Sequence, residues 1–404
     1  MPEQSIFSRT QFSLQTQTER LALSKANASI RIGIPKETGF NEKRIALVPQ
    51  SVLNLVARGH EIVIEKGAGL SSNFSDHEFA EAGARIASDK ETVYSSHVIL
   101  KVAPPSEEEL SYFRPNQILI SPLHLPGMTP EFIQTLRQKR VTAIAMEYLQ
   151  AEDGTFPIVR IMSEIAGLAV IHTGAELLSD PTRGKGVLLG GISGVPPARV
   201  VILGAGVVAE YATRAALALG AEVRIFDDKI HRLIRIQNRL GKQIFTSSMN
   251  PVILTHELCN ADLAIGAIHS KTGRTTMVVS EEMVMKMRPG SVIIDVSIDQ
   301  GGCFETSQMT SHEKPTRIIH GIVHYCVPNI PSKVSRTASI GISNILTSIL
   351  QEAGDTGGIE PLIYNHKGLR NGIYTFKGCL TNEYLANRFQ IKYTQLDLLI
   401  TSII

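Results

Sequence analysis

RVVILGAGVVAEYATRAALALGAEVRIFDD (199–228) is the stretch whose reading decides the fold. Val200 to Leu203 are a buried strand in pattern, and a helix of small residues follows them. Between the two lie Gly204, Gly206 and Ala209 in a G-x-G-x-x-A spacing. The first glycine permits the tight turn, and the second lets backbone approach a pyrophosphate. Ala209 lets helix and strand pack closely, while the helix N-terminus offers unpaired N–H groups to the anion. Asp227 ends the next strand about 20 residues on, where a carboxylate binds ribose hydroxyls. It would also repel a 2′-phosphate, so the cofactor expected is NAD rather than NADP; Arg232 nearby argues the other way.

Working outward, strands alternate with helices almost throughout, which implies βαβ units and parallel sheets covered on both faces. Downstream come a helix at 229–240, a strand ADLAIGAI (261–268), a helix at 280–287 and a strand SVIIDVSI (291–298). Upstream, strands are expected at 30–35, 61–65, 97–102, 117–121 and 141–146, with helices at 49–58, 76–82 and 129–139. A long helical stretch at 162–179 leads into the Gly/Pro-rich connection 184–197. Helix returns at 337–352, and the chain then reads as polar, irregular sequence with an amphipathic tail. The fold class expected is α/β, with two doubly wound domains and the cofactor domain inserted into the other. The boundaries fall at 1–157 with 336–404, and 158–335. Gly67-Ala68-Gly69 also follows a strand, but lacks a third small residue and an acidic strand end, so it reads as an ordinary turn.

The 404 residues suit about two domains. Forty basic and 38 acidic residues leave a formal charge of +2, with no basic stripe, so no nucleic-acid partner is expected. Four scattered cysteines form no C-x-x-C pair and suggest neither a disulfide framework nor a metal site. The first 28 residues lack an apolar core of the secretory kind, and no run of about 18 apolar residues occurs. A cytoplasmic protein without a membrane segment is the expectation.

Three segments of the first half carry candidate chemistry. Arg44, between an extended stretch and a helix start, could clamp a carboxylate in two-pronged fashion. Lys101 ends a strand just before Pro104-Pro105, and His124 follows another strand in SPLHLPG. In the second half Asp299, in SIDQGGCFE, lies past a strand end and would face the same crevice. Open α/β sheets bind ligands at such strand ends. Singly, each residue is more often a solvated charge or a turn; the argument rests on their joint occurrence.

Taken with GIPKE (33–37), RIALVP (44–49), LKV (100–102), LHL (123–125), MSEIAG (162–167) and the glycine turn, the strings IDQGGCFE (298–305) and KGCLTNEYLA (377–386) resemble the alanine dehydrogenase/pyridine nucleotide transhydrogenase family. The resemblance implies two Rossmann-like domains, a homohexamer, and NAD-dependent interconversion of L-alanine with pyruvate and ammonium. It implies that Arg44 and Lys101 hold the substrate and that His124 and Asp299 form the acid/base pair. Ser163 would lie near the pyrophosphate, Asp227 on the ribose and Asn329 beside the nicotinamide. The alternative is a non-catalytic NAD(H)-binding subunit of a transhydrogenase-like system, which the aspartate of IDQGGCFE speaks against. The chain departs from the family at KVAPP (101–105), at IHSKTGRTT (268–276) and in about 28 extra N-terminal residues. Cys303, beside the Gly-Gly pair, is expected to be a buried thiol.

Overall fold

A computed structural model describes residues 27–39, 41–270 and 274–401. Its first sheet contains β1 (Arg31–Ile34), β2 (Glu61–Glu65), β3 (Arg85–Ala87), β4 (Val98–Leu100), β5 (Ile118–Ser121) and β6 (Thr142–Ala145). These six lie parallel in the order β3-β2-β1-β4-β5-β6. The second sheet has β7 (Arg199–Leu203), β8 (Glu222–Phe226), β9 (Phe245–Ser247), β10 (Leu263–Gly266), β11 (Val292–Asp295), β12 (Thr316–Ile319) and β13 (Ile322–Tyr325). Here β9-β8-β7-β10-β11-β13 run parallel and β12 is an antiparallel edge. Both sheets therefore have the doubly wound 3-2-1-4-5-6 order, and each has one switch point, between its first and fourth strands. Central strands such as VIL, LAIG and VIID are buried at every residue, as helices on both faces require.

After β13 the chain returns to the first sheet through the helix Ser335–Asp355. The C-terminal region is not irregular as the sequence suggested. Ile373–Phe376 (β14) pairs antiparallel with β6, and Cys379–Leu380 (β15) extends the hairpin, with short helices around them. Their strands are too brief for a periodic signal, and burial against β6 decides them. A second correction concerns 291–298. The strand stops at Asp295, whose carboxylate accepts the Ser297 N–H, and Val296–Gln300 turns into a 3-10 helix.

The helix Pro157–Ser179 is long and apolar enough, by length and composition, to cross a membrane, although the sequence suggested no such segment. It is a packing element between lobes. Gly167 abuts the helix Val207–Ala218 so closely that a Cβ would lie 2.5 Å from the Val208 carbonyl oxygen. On the return helix, a Cβ at Gly341 would lie 2.9 Å from Ile161 Cδ1.

Candidate active site

At the second sheet's switch point, β7 ends in Gly204, which takes φ +102. A Cβ there would press to 2.5 Å from the carbonyl oxygen of Ala267, just past β10. Gly206 caps the helix Val207–Ala218, and a Cβ on it would meet nothing within 4 Å. That open approach to a helix N-terminus is what a pyrophosphate needs. Ala209 is fully buried against the sheet. Asp227 lies buried at the end of β8, where its Oδ2 accepts the Ala205 N–H at 2.8 Å and its Oδ1 accepts the Lys229 N–H at 2.7 Å. Remaining lone pairs on both oxygens suit ribose hydroxyls, so the residues present fit a dinucleotide. Arg232 Nη1 is drawn to 3.6 Å from the same carboxylate. Ser163 lies one turn before Gly167, near the start of the same helix, and its hydroxyl donates to the Val159 carbonyl at 2.7 Å.

The first sheet's switch point separates β1 from β4, so the segment after β1 meets Lys101 after β4. Arg44 forms a fork with Glu42, Nε to Oε1 at 2.7 Å and Nη2 to Oε2 at 2.6 Å, while Nη1 donates to Met162 Sδ. A strand-end lysine is usually solvated, yet Lys101 is only 1% exposed. Its ammonium donates to Glu37 Oε2 and Glu109 Oε1, both at 2.8 Å. Burial opposes charging Lys101, but the two carboxylates outweigh it and raise its pKa. Glu37 also accepts the Val102 N–H at 2.7 Å. Desolvation pushes its carboxyl up to about 7 against the pull of Lys101, and Glu42 adds to the rise.

Past β5, His124 is exposed with φ 48 and ψ 64, a left-handed conformation that histidine rarely adopts. Glu147 holds it there, since its Oε1 accepts the N–H groups of Leu123 at 2.8 Å and His124 at 3.2 Å. Burial raises the pKa of Glu147, the backbone donors oppose the rise, and its Oε2 is buried without a hydrogen-bond partner.

Past β11, the fully buried Asp295 accepts from Cys303 N at 2.9 Å, Phe304 N at 3.4 Å and Ser307 Oγ at 2.7 Å. This knot shapes the turn that presents Asp299. Water reaches Asp299, but surrounding protein desolvates its carboxyl and raises its pKa. The Asn329 backbone N–H and the charges of His124 and Arg44 pull it back down. Gln300 clasps the neighbouring loop, accepting from Ser270 N at 3.0 Å and donating to the Ser270 carbonyl at 3.1 Å. Residues 271–273 of the unusual 268–276 segment, and the N-terminal residues before 27, lie outside the described residues.

Arg44 and His124 from the first sheet thus share one electrostatic neighbourhood with Asp299 and Asn329 from the second. Asn329, with φ 54 past β13, donates through Nδ2 to Glu42 Oε2 at 2.9 Å. Lys101 is buried among its carboxylates. Cys303 is fully buried, its thiol pushed well up first by desolvation and then by Asp295. Sequence reasoning missed Glu37, Glu42, Glu109, Glu147 and Asp295. Only Glu37 and Glu42 had a signal, the first inside GIPKE and the second two residues before Arg44.

A profile described as alanine dehydrogenase/PNT, N-terminal domain, matches residues 33–166, and its C-terminal counterpart matches 169–383. Alanine dehydrogenase of Bacillus subtilis is 41% identical over 363 residues, spanning 90% of this chain and 95% of that protein. A solved L-alanine dehydrogenase superposes with a TM-score of 0.84 at 35% identity, covering 89% of this chain and 99% of that one. A transhydrogenase structure from Sinorhizobium meliloti, at 24% identity and TM-score 0.75, covers 88% and 99% and shares the fold.

Proposed function

This chain belongs to the alanine dehydrogenase/PNT family, and from that premise we propose that it is an NAD-dependent L-alanine dehydrogenase, forming pyruvate and ammonium and running the reverse amination. The single observation that carries the reading is that Asp299 feels the charges of His124 and Arg44 from the other lobe, beside the Asn329–Glu42 bond that joins the lobes. An acid/base pair and a carboxylate clamp then face one gap. The nicotinamide, when bound, accepts the hydride of the alanine Cα.

The chain's own groups do the rest. Arg44 and Lys101 hold the substrate carboxylate and carbonyl, which fixes the direction of the Cα–H bond and lowers the entropic part of the barrier. His124 moves the proton, since an imidazole can both accept and donate one. Asp299 orients the attacking water and stabilises the cationic iminium carbon. Gly204, Gly206, Ala209 and Ser163 would receive the pyrophosphate, Asp227 would take the ribose, and Asn329 would lie beside the nicotinamide. Arg232, whose Nη1 lies 3.6 Å from the Asp227 carboxylate, would stand beside the ribose as a further cofactor-binding residue. In this reading residues 158–335 form the cofactor domain, inserted between 1–157 and 336–404, and the protein is a cytoplasmic homohexamer.

The test is oxidation of NADH by the purified protein with pyruvate and ammonium, against the same mixture with 2-oxoglutarate. Rapid loss of NADH absorbance is expected with pyruvate alone. Equal rates, or none with pyruvate, overturn the reading.

A further inference from the structure

Around the proposed substrate anchors the charges do not balance. Arg44 and Lys101 supply two cations, while Glu37, Glu42 and Glu109 bring three carboxyl groups onto them through bonds of 2.6–2.8 Å. With all five ionised the cluster is negative before any substrate enters, yet the substrate is itself a carboxylate. The side chain of Glu37 is 7% exposed and that of Glu109 only 1%, so water screens the surplus poorly.

We propose that Glu37 is a positioning residue that takes up a solvent proton as the substrate carboxylate binds, and so releases an N–H of Lys101 to that carboxylate. The proposal rests on the alanine dehydrogenase reading. The geometry gives the step its logic. Glu37 Oε2 occupies one ammonium donor, while Oε1 is held by the Val102 N–H whatever happens at Oε2. A proton on Oε2 removes the need for that ammonium bond without freeing the side chain. Glu109 keeps the second donor and is anchored on the far side by the Ser106 N–H at 2.8 Å.

The groups facing Glu37 favour this assignment. Among the described residues, Lys101 just past β4 is its one cationic partner by direct bond. Glu42 on its own segment opposes its charge, and Glu109 shares its ammonium. Glu65 at the end of β2 acts together with Glu37 and Glu109 on the nearby Tyr94 phenol. Burial places the Glu37 carboxyl near neutrality, where a small added negative charge shifts its proton occupancy strongly. The sign follows. A bound anion favours the protonated form, so affinity is highest below about pH 7 and falls as pH rises through that value.

Calorimetric titration of pyruvate into the full-length enzyme–NADH complex, without ammonium, tests this in buffers of different ionisation enthalpy at alkaline pH. Comparison of the Glu37→Gln variant with wild type under identical conditions isolates Glu37. The Glu37→Gln enzyme is expected to take up close to one proton fewer per pyruvate. Its plot of log affinity against pH above neutrality should be shallower by about one unit. Unchanged uptake and slope in that variant overturn the proposal. Glu109→Gln provides the second arm, because removing a competing negative group should move the fall in affinity to lower pH; an unshifted profile counts against the idea even if Glu37→Gln does not fold. A wild-type complex that binds no pyruvate at all sinks the substrate reading itself, which is a distinguishable failure.

Discussion

His124 sits where an imidazole can reach the cleft only because its backbone is held left-handed, a conformation that costs about 1 kcal/mol or more. Glu147 sustains it through two backbone bonds; truncating that side chain orphans the part-buried Leu123 N–H at about 1–3 kcal/mol and hands the exposed His124 N–H to water. Glu147→Ala should therefore lower kcat about tenfold or more, whereas His124→Ala and Asp299→Ala should abolish turnover. NADH affinity should stay near wild type in all three, since none lies on the glycine turn. Steady-state kinetics with fluorescence titration of NADH decide it, and a Glu147→Ala enzyme with full kcat would remove the supporting role. The sequence singled out Arg44, Lys101, His124 and Asp299 because each stands inside a recognisable string, the last three shortly past a strand. It concealed the carboxylates that set their charge. Glu37 acts on Lys101 across 64 positions and Glu147 on His124 across 23, and such pairings leave no mark in local spacing.

At the scale of elements, the strand–turn–helix at 199–218 was legible almost to the residue, because each requirement names a residue type. The two glycines nevertheless do different work, and substitution separates them. Gly206 has φ −82, which any residue adopts, and open space where its Cβ would lie. Gly206→Ala should leave the melting temperature unchanged without cofactor yet weaken NADH binding about tenfold or more, since the methyl occupies the path of the pyrophosphate. Gly204→Ala, with φ +102 and a Cβ at 2.5 Å from Ala267 O, should lose stability by about 2 kcal/mol or more even without cofactor. Thermal melts with and without NADH distinguish the two, and equal apo melting temperatures for the pair would refute the division. The short strands β12, β14 and β15 were not legible for the opposite reason. Two to four residues are fewer than a period needs, and antiparallel pairing to a buried neighbour is a tertiary decision.

At the scale of the molecule, the two sheets are wound alike, and the segment after β1 meets the loops that follow β11 and β13. The chain crosses between them through the helices Pro157–Ser179 and Ser335–Asp355, which pack at Ile161 and Gly341. Near the site the seam is polar. Asn329 Nδ2 donates to Glu42 Oε2 at 2.9 Å, and Ser332 Oγ accepts the Lys43 N–H at 2.8 Å. The Asn329–Glu42 bond links the second sheet's last strand end to the carboxylate that orients Arg44, so it should couple the lobes energetically. A double-mutant cycle of Glu42→Gln and Asn329→Ala, read in kcat/KM for pyruvate, isolates that term. A charge-assisted bond predicts a coupling of about 1–3 kcal/mol, with the double variant less impaired than the two single losses combined. Simple additivity would mean that the lobes do not hold this arrangement during turnover. Arg44 and Asp299 would then be brought together by the ligand, and the polar seam would have no part in preparing the cleft.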